Sequence, residues 1–122
     1  MDKVVVIGGA GFVGSHTADA LSNRGFKVII FDHRESPWIR DDQEMIIGDI
    51  LNIEEIRNVV SGARYVYHFA GIADIAESKE RPLDTININI LGATNAIQSA
   101  VDCDVERFIF ASTMYVYSPY GS

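Results

Sequence analysis

Cysteine, basic residues and long apolar runs are all scarce in this sequence of 122 residues. Its single cysteine, Cys103, has no partner within the chain for a disulfide, which predicts a reducing compartment. The 10 lysines and arginines are scattered and are outnumbered by 17 aspartates and glutamates, which leaves a formal net charge of −7. The sequence therefore argues against nucleic acid and anionic membranes as partners, because both require clustered cations.

No stretch reaches the roughly 18 uninterrupted apolar residues that a membrane-spanning helix needs. The first three residues run straight into a strand pattern, which leaves no room for a signal peptide. We also assign no metal ligands. Hydrophobic residues nevertheless make up 48% of the chain. We therefore expect one globular domain with a buried core, soluble and cytoplasmic.

Glycine, by contrast, is concentrated near the start of the chain. Gly8, Gly11 and Gly14 directly follow the apolar run at 4–7. This spacing, after a strand and before a helix, is typical of a turn that binds the pyrophosphate of a dinucleotide, although a purely structural turn is the alternative. Gly8 permits the bend, Gly11 lets the backbone approach the phosphates, and Gly14 lets the helix pack close to the strand. The free N–H groups at the start of the helix would face the phosphates.

A carboxylate follows the second apolar run, as such a site requires. Asp32 lies 18 residues beyond Gly14, directly after residues 28–31. There it can accept hydrogen bonds from the ribose hydroxyls of an adenosine, and His33 is a further candidate for contact with that adenosine. The charge of Asp32 would repel a 2′-phosphate, so we predict NAD rather than NADP as the cofactor. Arg34 is the observation against this preference, because an NADP site uses a nearby arginine.

Strand and helix patterns alternate along the chain, which predicts an α/β fold with a doubly wound parallel sheet of Rossmann type. Strands are predicted at 3–7, 27–31, 44–47, 65–69 and 106–110, and helices at 14–24, 52–60 and 82–101, with loops at 33–43 and 70–81. Gly25 would end the first helix, Asn52 would cap the second with Glu55 completing a capping box, and Pro82 would begin the third. Right-handed crossovers give the strand order 3-2-1-4-5. A ligand would then lie over the carboxyl ends of strands one and four. Strand five would be an open edge that further chain or a partner, such as a second copy in a homo-oligomer, covers.

Six short sequence motifs, spread over nearly the whole chain, occur together in a fixed order. They are GGAGFVGSH at 8–16, FD at 31–32, GDI at 48–50, YHFAG at 67–71, ES, PL and NILG between 77 and 92, and FIFAST at 108–113 followed by VY at 116–117. In this order the segments resemble the extended short-chain dehydrogenase/reductase family, the NAD-dependent epimerases and dehydratases of nucleotide sugars. The joint match spans nearly the whole chain and is far more specific than the glycine motif alone.

The resemblance implies a cofactor role for several positions beyond the glycines and Asp32. They are Phe12, Val13, His33, Asp49, Ile50, Phe69, Ala70, Gly71 and Asn89. Asp49 would accept a hydrogen bond from the adenine amine while Ile50 packs on the ring, although Asp49 could instead be a turn residue. Asn89 would lie near the nicotinamide, in a position that the family ties to a proton-relay water. Its alternative is to face solvent or to bond a backbone carbonyl.

Thr113 matches the catalytic serine or threonine of the family. Its hydroxyl would bond the reacting sugar oxygen and orient it for hydride transfer, although a turn-forming hydroxyl is the alternative. The catalytic base of the family is a tyrosine four residues before a lysine, whose ammonium lowers the pKa of the phenol. No such pair is present in this sequence. Tyr120 is the only candidate near the end, and its lysine would fall at position 124, beyond Ser122.

We therefore interpret residues 1–122 as the N-terminal part of an NAD-binding Rossmann domain, with the substrate-binding domain outside this sequence. The parent protein would act on a nucleotide-diphosphate sugar with transient hydride transfer to NAD, and this chain alone would bind cofactor without turnover. A non-catalytic module that senses NAD or NADH is the second interpretation. A domain for another adenosine ligand, such as S-adenosylmethionine, is the third, and it leaves the Thr113 segment unexplained. The sequence does not distinguish epimerase, dehydratase and reductase.

Overall fold

A parallel five-stranded sheet forms the centre of the protein in the computed structural model, which describes residues 1–72 and 75–112. The strands are β1 (Lys3–Ile7), β2 (Lys27–Asp32), β3 (Gln43–Ile47), β4 (Ala63–His68) and β5 (Arg107–Phe110). Their spatial order is β3-β2-β1-β4-β5, and all neighbouring pairs are parallel. This order confirms the prediction from crossover handedness, and it makes the β1/β4 boundary the point where the chain reverses direction across the sheet.

Helical segments connect the strands. They are α1 (Phe12–Asn23), α2 (Ile53–Val60), α3 (Ile75–Glu80), α4 (Pro82–Ile86) and α5 (Ala93–Asp102), with a π-helical turn (Asn87–Gly92) between α4 and α5. Helix α1 begins two residues earlier than predicted, because Gly11 is its N-cap. Gly25 has φ of +89°, as expected for a glycine that ends a helix. In the described part of the chain, no helix is long and apolar enough to cross a membrane.

The predicted capping box at α2 is only half formed. The Oδ1 atom of Asn52 accepts hydrogen bonds from the N–H groups of Glu54 and Glu55, at 3.1 and 3.3 Å. The carboxylate of Glu55 does not return to the Asn52 N–H, as a capping box requires. It instead accepts a hydrogen bond of 2.7 Å from the N–H of Asp49. Glu55 thereby anchors the turn that follows β3.

Two predictions between 70 and 101 are wrong. The predicted loop at 70–81 contains α3, and the predicted single helix at 82–101 is interrupted by the π-helical turn. Helix α3 has only six residues, too few to produce a readable hydrophobic period, and Glu77 supports it through an ion pair with Arg81 at 2.9 Å. A π-helical turn changes the hydrogen bonding of the backbone without demanding particular side chains, so the residue pattern does not reveal it.

Both faces of the central strands are buried. Layer one, beneath α1, contains Val4, Val6, Val28 and Ile30 with Ala18 and Leu21. Layer two, beneath α2 and α5, contains Val5, Ile7, Ile29, Phe31, Ile56, Val59, Val60 and Ala96. Strands covered on both faces need apolar residues at every position, which explains the unbroken apolar runs of β1 and β2.

Candidate functional site

A cleft of about 520 Å³ opens at the carboxyl ends of β1, β2 and β4. Its lining comes from the turns after these strands, the turn after β3 and the helical segment after β4. The lining residues are Ile7, Gly8, Gly11, Phe31, Asp32, His33, Arg34, Gly48, Asp49, Ile50, Leu51, Phe69, Ala70, Gly71, Ile72, Glu77, Arg81 and Ile88. The cleft lies where the order of the strands reverses, which is the general ligand-binding position of open parallel sheets.

Hydrogen bonds that continue past the strand ends hold the rim of the cleft. The N–H of Gly8 donates to the carbonyl of Phe31, and the N–H of Phe69 donates to the carbonyl of Ile7, both at 2.8 Å. The first residue after each of β1 and β4 is therefore still paired with the neighbouring strand. This pairing determines how the turns after β1 and β4 sit relative to each other.

The turns after β1 and β4 approach each other too closely for a side chain at Gly8. A Cβ atom there would lie 2.6 Å from the nitrogen of Ala70 and 2.8 Å from the carbonyl carbon of Phe69. Gly8 also has φ of +82°. A Cβ on Gly14 would overlap with the carbonyl oxygen of Gly8 and lie 2.8 Å from the Cα of Gly9. The absence of a side chain at Gly14 thus lets the start of α1 pack against the glycine turn. The sequence predicted that it would pack against the strand.

Gly11 faces open space. A Cβ added there would approach only the Gly8 carbonyl oxygen, at 3.6 Å, so packing within the chain does not require this glycine. Gly11 lines the cleft and leaves the first turn of α1 without a side-chain cap. Unpaired N–H groups at a helix start attract anions. Phe12 and Val13, in that first turn, have exposed side chains and are not among the lining residues.

Asp32 connects the end of β2 with the glycine turn. Its Oδ2 atom accepts a hydrogen bond from the N–H of Ala10 at 3.0 Å, and its Oδ1 atom accepts one from the N–H of His33 at 2.7 Å. The exposed imidazole of His33 also places Nδ1 2.8 Å from Oδ1. An ionised carboxylate has about four lone-pair positions, so Asp32 keeps acceptor capacity towards the cleft.

Asp49 and Ile50 both line the cleft from the turn after β3. The Oδ1 atom of Asp49 accepts a hydrogen bond of 2.9 Å from the N–H of Leu51. Asp49 therefore has the turn-forming role that the sequence left open as an alternative. Because this bond occupies one carboxylate oxygen, it is compatible with a second role for the other oxygen.

Asn89 holds a loop and does not line the cleft. Its Oδ1 atom accepts from the N–H of Ile72 at 2.7 Å, and its Nδ2 atom donates to the carbonyl of Ile72 at 3.0 Å. Ile72, which this amide holds, does line the cleft, as do Ala70 and Gly71 directly before it. The contacts of Asn89 thus agree with the alternative in which it bonds a backbone carbonyl. Through Ile72, Asn89 supports the loop that lines the cleft.

The sequence interpretation gave no site role to two charged residues that line the cleft. Arg81 and Glu77 line it, and Arg81 bonds Glu77 at 2.9 Å and Asp84 at 3.0 Å. The spacing of four residues between Glu77 and Arg81 is the signal that could have indicated a helix here. Ile72 and Ile88 carried no such signal. Thr113 and the rest of the segment 113–122, including Tyr120, lie outside the described residues.

One buried histidine lies directly before the β4 turn. His68 is 1% exposed and its ring stacks with Phe108 and Phe110, at centroid distances of 6.0 and 5.7 Å. Burial lowers its pKa from 6.5 to about 4. Within the described ranges, Nδ1 has no hydrogen-bond partner. The ring is therefore neutral at pH 7 and serves as part of the apolar packing beneath the cleft.

Comparison with known proteins identifies the family. The profile of the NAD dependent epimerase/dehydratase family matches residues 4–122. A UDP-glucose 4-epimerase of Rhizobium leguminosarum bv. trifolii is 31% identical over 121 residues, a match that covers 95% of this chain but 37% of that protein. One from Klebsiella pneumoniae is 33% identical, with 94% and 91% of the two chains covered. The crystal structure of UDP-glucose 4-epimerase from Brucella ovis in complex with NAD matches with a TM-score of 0.88 at 28% identity, over 97% of this chain and 38% of that one. This chain belongs to the NAD dependent epimerase/dehydratase family.

Proposed function

We propose that this chain is the NAD-binding portion of a nucleotide-sugar epimerase or dehydratase. One observation carries the proposal: the glycine turn after β1 and the buried carboxylate of Asp32 after β2 border the same cleft at the switch point of the sheet. Membership of the family and the relatives named UDP-glucose 4-epimerase support the nucleotide-sugar part. The relative from Rhizobium is much longer than this chain, so we propose that the substrate-binding domain lies outside residues 1–122.

The residues around the cleft fit a dinucleotide. The open space beside Gly11 and the uncapped start of α1 suit a pyrophosphate, and the spare acceptor capacity of Asp32 suits ribose hydroxyls. Asp49 and Ile50 would hold the adenine. The residues that we propose to hold NAD are Gly8, Gly11, Phe12, Val13, Gly14, Asp32, His33, Asp49, Ile50, Phe69, Ala70, Gly71 and Asn89. The charge of Asp32 favours NAD over NADP, because it repels a 2′-phosphate.

NAD supplies a nicotinamide that accepts a hydride from a sugar carbon. We propose that Thr113 is the catalytic residue of this chain and that its hydroxyl bonds and orients the reacting sugar oxygen. The catalytic base would come from beyond Ser122, so this chain alone would bind cofactor without turnover. The single cysteine supports a cytoplasmic setting, as expected from the sequence.

Titration with NADH, followed by fluorescence, tests the cofactor part. The unsubstituted chain should bind NADH, and Gly11→Val should weaken binding about tenfold or more, since the added side chain would occupy cleft space. Gly11 has φ of −80° and ψ of −180°, which valine also adopts, so the melting temperature should change little. Gly62→Ala, at the opposite end of the sheet, is the control and should keep the affinity. An unsubstituted chain that does not bind NADH would rule the proposal out.

The substrate part needs the longer protein that contains this chain. Assayed against a panel of UDP-sugars, it should convert one or more of them, and Thr113→Val should abolish turnover while NADH affinity stays the same. Unchanged turnover in Thr113→Val would remove Thr113 from the catalytic machinery. A protein that binds NADH but converts no sugar nucleotide would favour the NAD-sensing interpretation.

A further inference from the structure

The helix that runs through α4, the π-helical turn and α5 contacts Ile50 at two points. The Nδ2 atom of Asn95 donates a hydrogen bond of 3.1 Å to the carbonyl oxygen of Ile50. One turn earlier in the helix, Gly92 lies so close that an added Cβ would be 3.0 Å from Cγ2 and 3.2 Å from Cγ1 of Ile50. Both the main chain and the side chain of Ile50 are thus held by a helix about 45 residues away in sequence.

The turn that carries Ile50 is also held from the other side. Glu55, in the first turn of α2, accepts a hydrogen bond from the N–H of Asp49 at 2.7 Å. The two helices are joined in turn by Arg57 and Asp102, whose charged groups approach to 2.7 Å. The turn after β3 is therefore held by contacts with both α2 and α5. These polar contacts act together with the packing of the half-buried Ile50 side chain against the core and with the hydrogen bond from the N–H of Gly48 to the carbonyl of Asp32.

We propose that Asn95 is a positioning residue for the adenine of the bound cofactor and that it acts through Ile50. This inference rests on the proposed function, in which Ile50 packs on the adenine ring. Loss of the Asn95 amide leaves the Ile50 carbonyl without its donor, and a partly buried carbonyl then moves to find another partner. The Ile50 side chain moves with it, and dispersion contacts weaken steeply over gaps of less than 1 Å. Asn89 has the matching arrangement on the other wall of the cleft, through Ile72.

A double-mutant cycle on NADH affinity tests the inference. Asn95→Ala should weaken NADH binding about tenfold, the size of one lost hydrogen bond at the upper end of its usual range. In the Ile50→Ala background the same change should weaken binding less than about twofold, because the side chain that Asn95 positions is gone. A residue that only stabilises the fold would lower the melting temperature but would not show this dependence on Ile50.

Two further variants keep the test decisive. Gly92→Ala adds a Cβ against Ile50 without removing a polar group, and alanine is favoured over glycine in a helix, so this variant should fold even where Asn95→Ala does not. It should weaken NADH binding in the presence of Ile50 and have little effect in Ile50→Ala. Thr94→Ala, which removes an exposed side chain whose hydroxyl donates to the carbonyl of Ile90 in the same helical segment, is the control and should keep the affinity. Equal weakening in both backgrounds, or none, overturns the inference, whereas an unsubstituted chain that binds no NADH refutes the proposed function itself.

Discussion

Asp32 and Ala10 are joined by a hydrogen bond of 3.0 Å from the backbone N–H of Ala10 to the Asp32 carboxylate. The contact links the end of β2 to the middle of the glycine turn, 22 residues earlier. Asp32 is only 9% exposed, so water competes weakly for this bond. Its carboxylate thus shapes the turn that borders the cleft and also brings a negative charge to the cleft.

The substitution Asp32→Asn should separate the effect of the hydrogen bond to Ala10 from the effect of the negative charge. Asp32→Asn keeps one oxygen that can accept from Ala10 but loses the charge and the second oxygen, which accepts from His33, so the free energy of unfolding should fall by about 0.5 to 1.5 kcal/mol. The preference for NADH over NADPH should shrink, because a neutral amide does not repel a 2′-phosphate. Asp32→Ala loses the acceptor as well and should cost about 1 to 3 kcal/mol. Urea unfolding and parallel titrations with both cofactors measure these effects, and an unchanged preference in Asp32→Asn would contradict the assignment.

Gly8 and Gly62 form a matched pair for testing the close approach of the turns after β1 and β4. Their φ angles are +82° and +80°, but a Cβ at Gly62 meets nothing within 4 Å, whereas one at Gly8 meets the backbone of Ala70. Gly62→Ala should cost about 1 to 2 kcal/mol of stability from backbone strain alone. Gly8→Ala should cost about 1 to 3 kcal/mol more, because the neighbouring backbone cannot easily yield. Equal losses in denaturant unfolding would show that the approach is not tight in solution.

The stability of the protein should fall as the pH drops from about 6.5 to 4. The pKa of His68 is about 4 in the folded protein and about 6.5 in the unfolded chain, so in this window the unfolded state binds more protons. Through His68 alone, the free energy of unfolding at pH 4 should be lower than at pH 7 by on the order of 3 kcal/mol.

His68→Leu should remove this contribution and flatten the dependence of the unfolding free energy on pH below 6.5. Val66→Ala, a buried substitution on the same strand, is the control. It should lower stability by a similar amount at pH 7 and pH 5 while keeping the slope. The measurement is urea unfolding at a series of pH values, and an unchanged slope in His68→Leu would assign the acid sensitivity to other groups.

Gly71 and Asn89 should show coupled effects on stability. A Cβ on Gly71 would lie 2.9 Å from Oδ1 of Asn89, the same atom that accepts from the N–H of Ile72. Gly71→Ala should therefore disturb the bonds between Asn89 and Ile72 and cost about 1 to 2 kcal/mol. In the Asn89→Ala background the cost should fall by about 1 kcal/mol, since the obstacle has been removed. Additive losses in denaturant unfolding would mean that the two side chains do not share this space.

Local residue patterns were enough to predict the sheet and much of its ligand-binding edge. Strands β1 and β2 are unbroken apolar runs because they are covered on both faces, and crossover handedness then gives the strand order. The end of each strand places its next residues at the cleft, which is why Gly8, Asp32 and Ala70 were identifiable candidates, while Asp49 was a candidate through the family resemblance; all four line the cleft. Their roles towards a cofactor stay predictions.

The sequence by itself determined the α/β class, the strand order and the family, because these follow from apolar periodicity, chain direction and an ordered set of motifs. Only the tertiary structure decided that Glu55 bonds the Asp49 backbone, that Asn89 holds Ile72 and that Asn95 holds Ile50. Those partners are 6, 17 and 45 residues apart. A side-chain amide or carboxylate has many possible backbone partners, and the choice among them depends on how close two elements come once the core has packed.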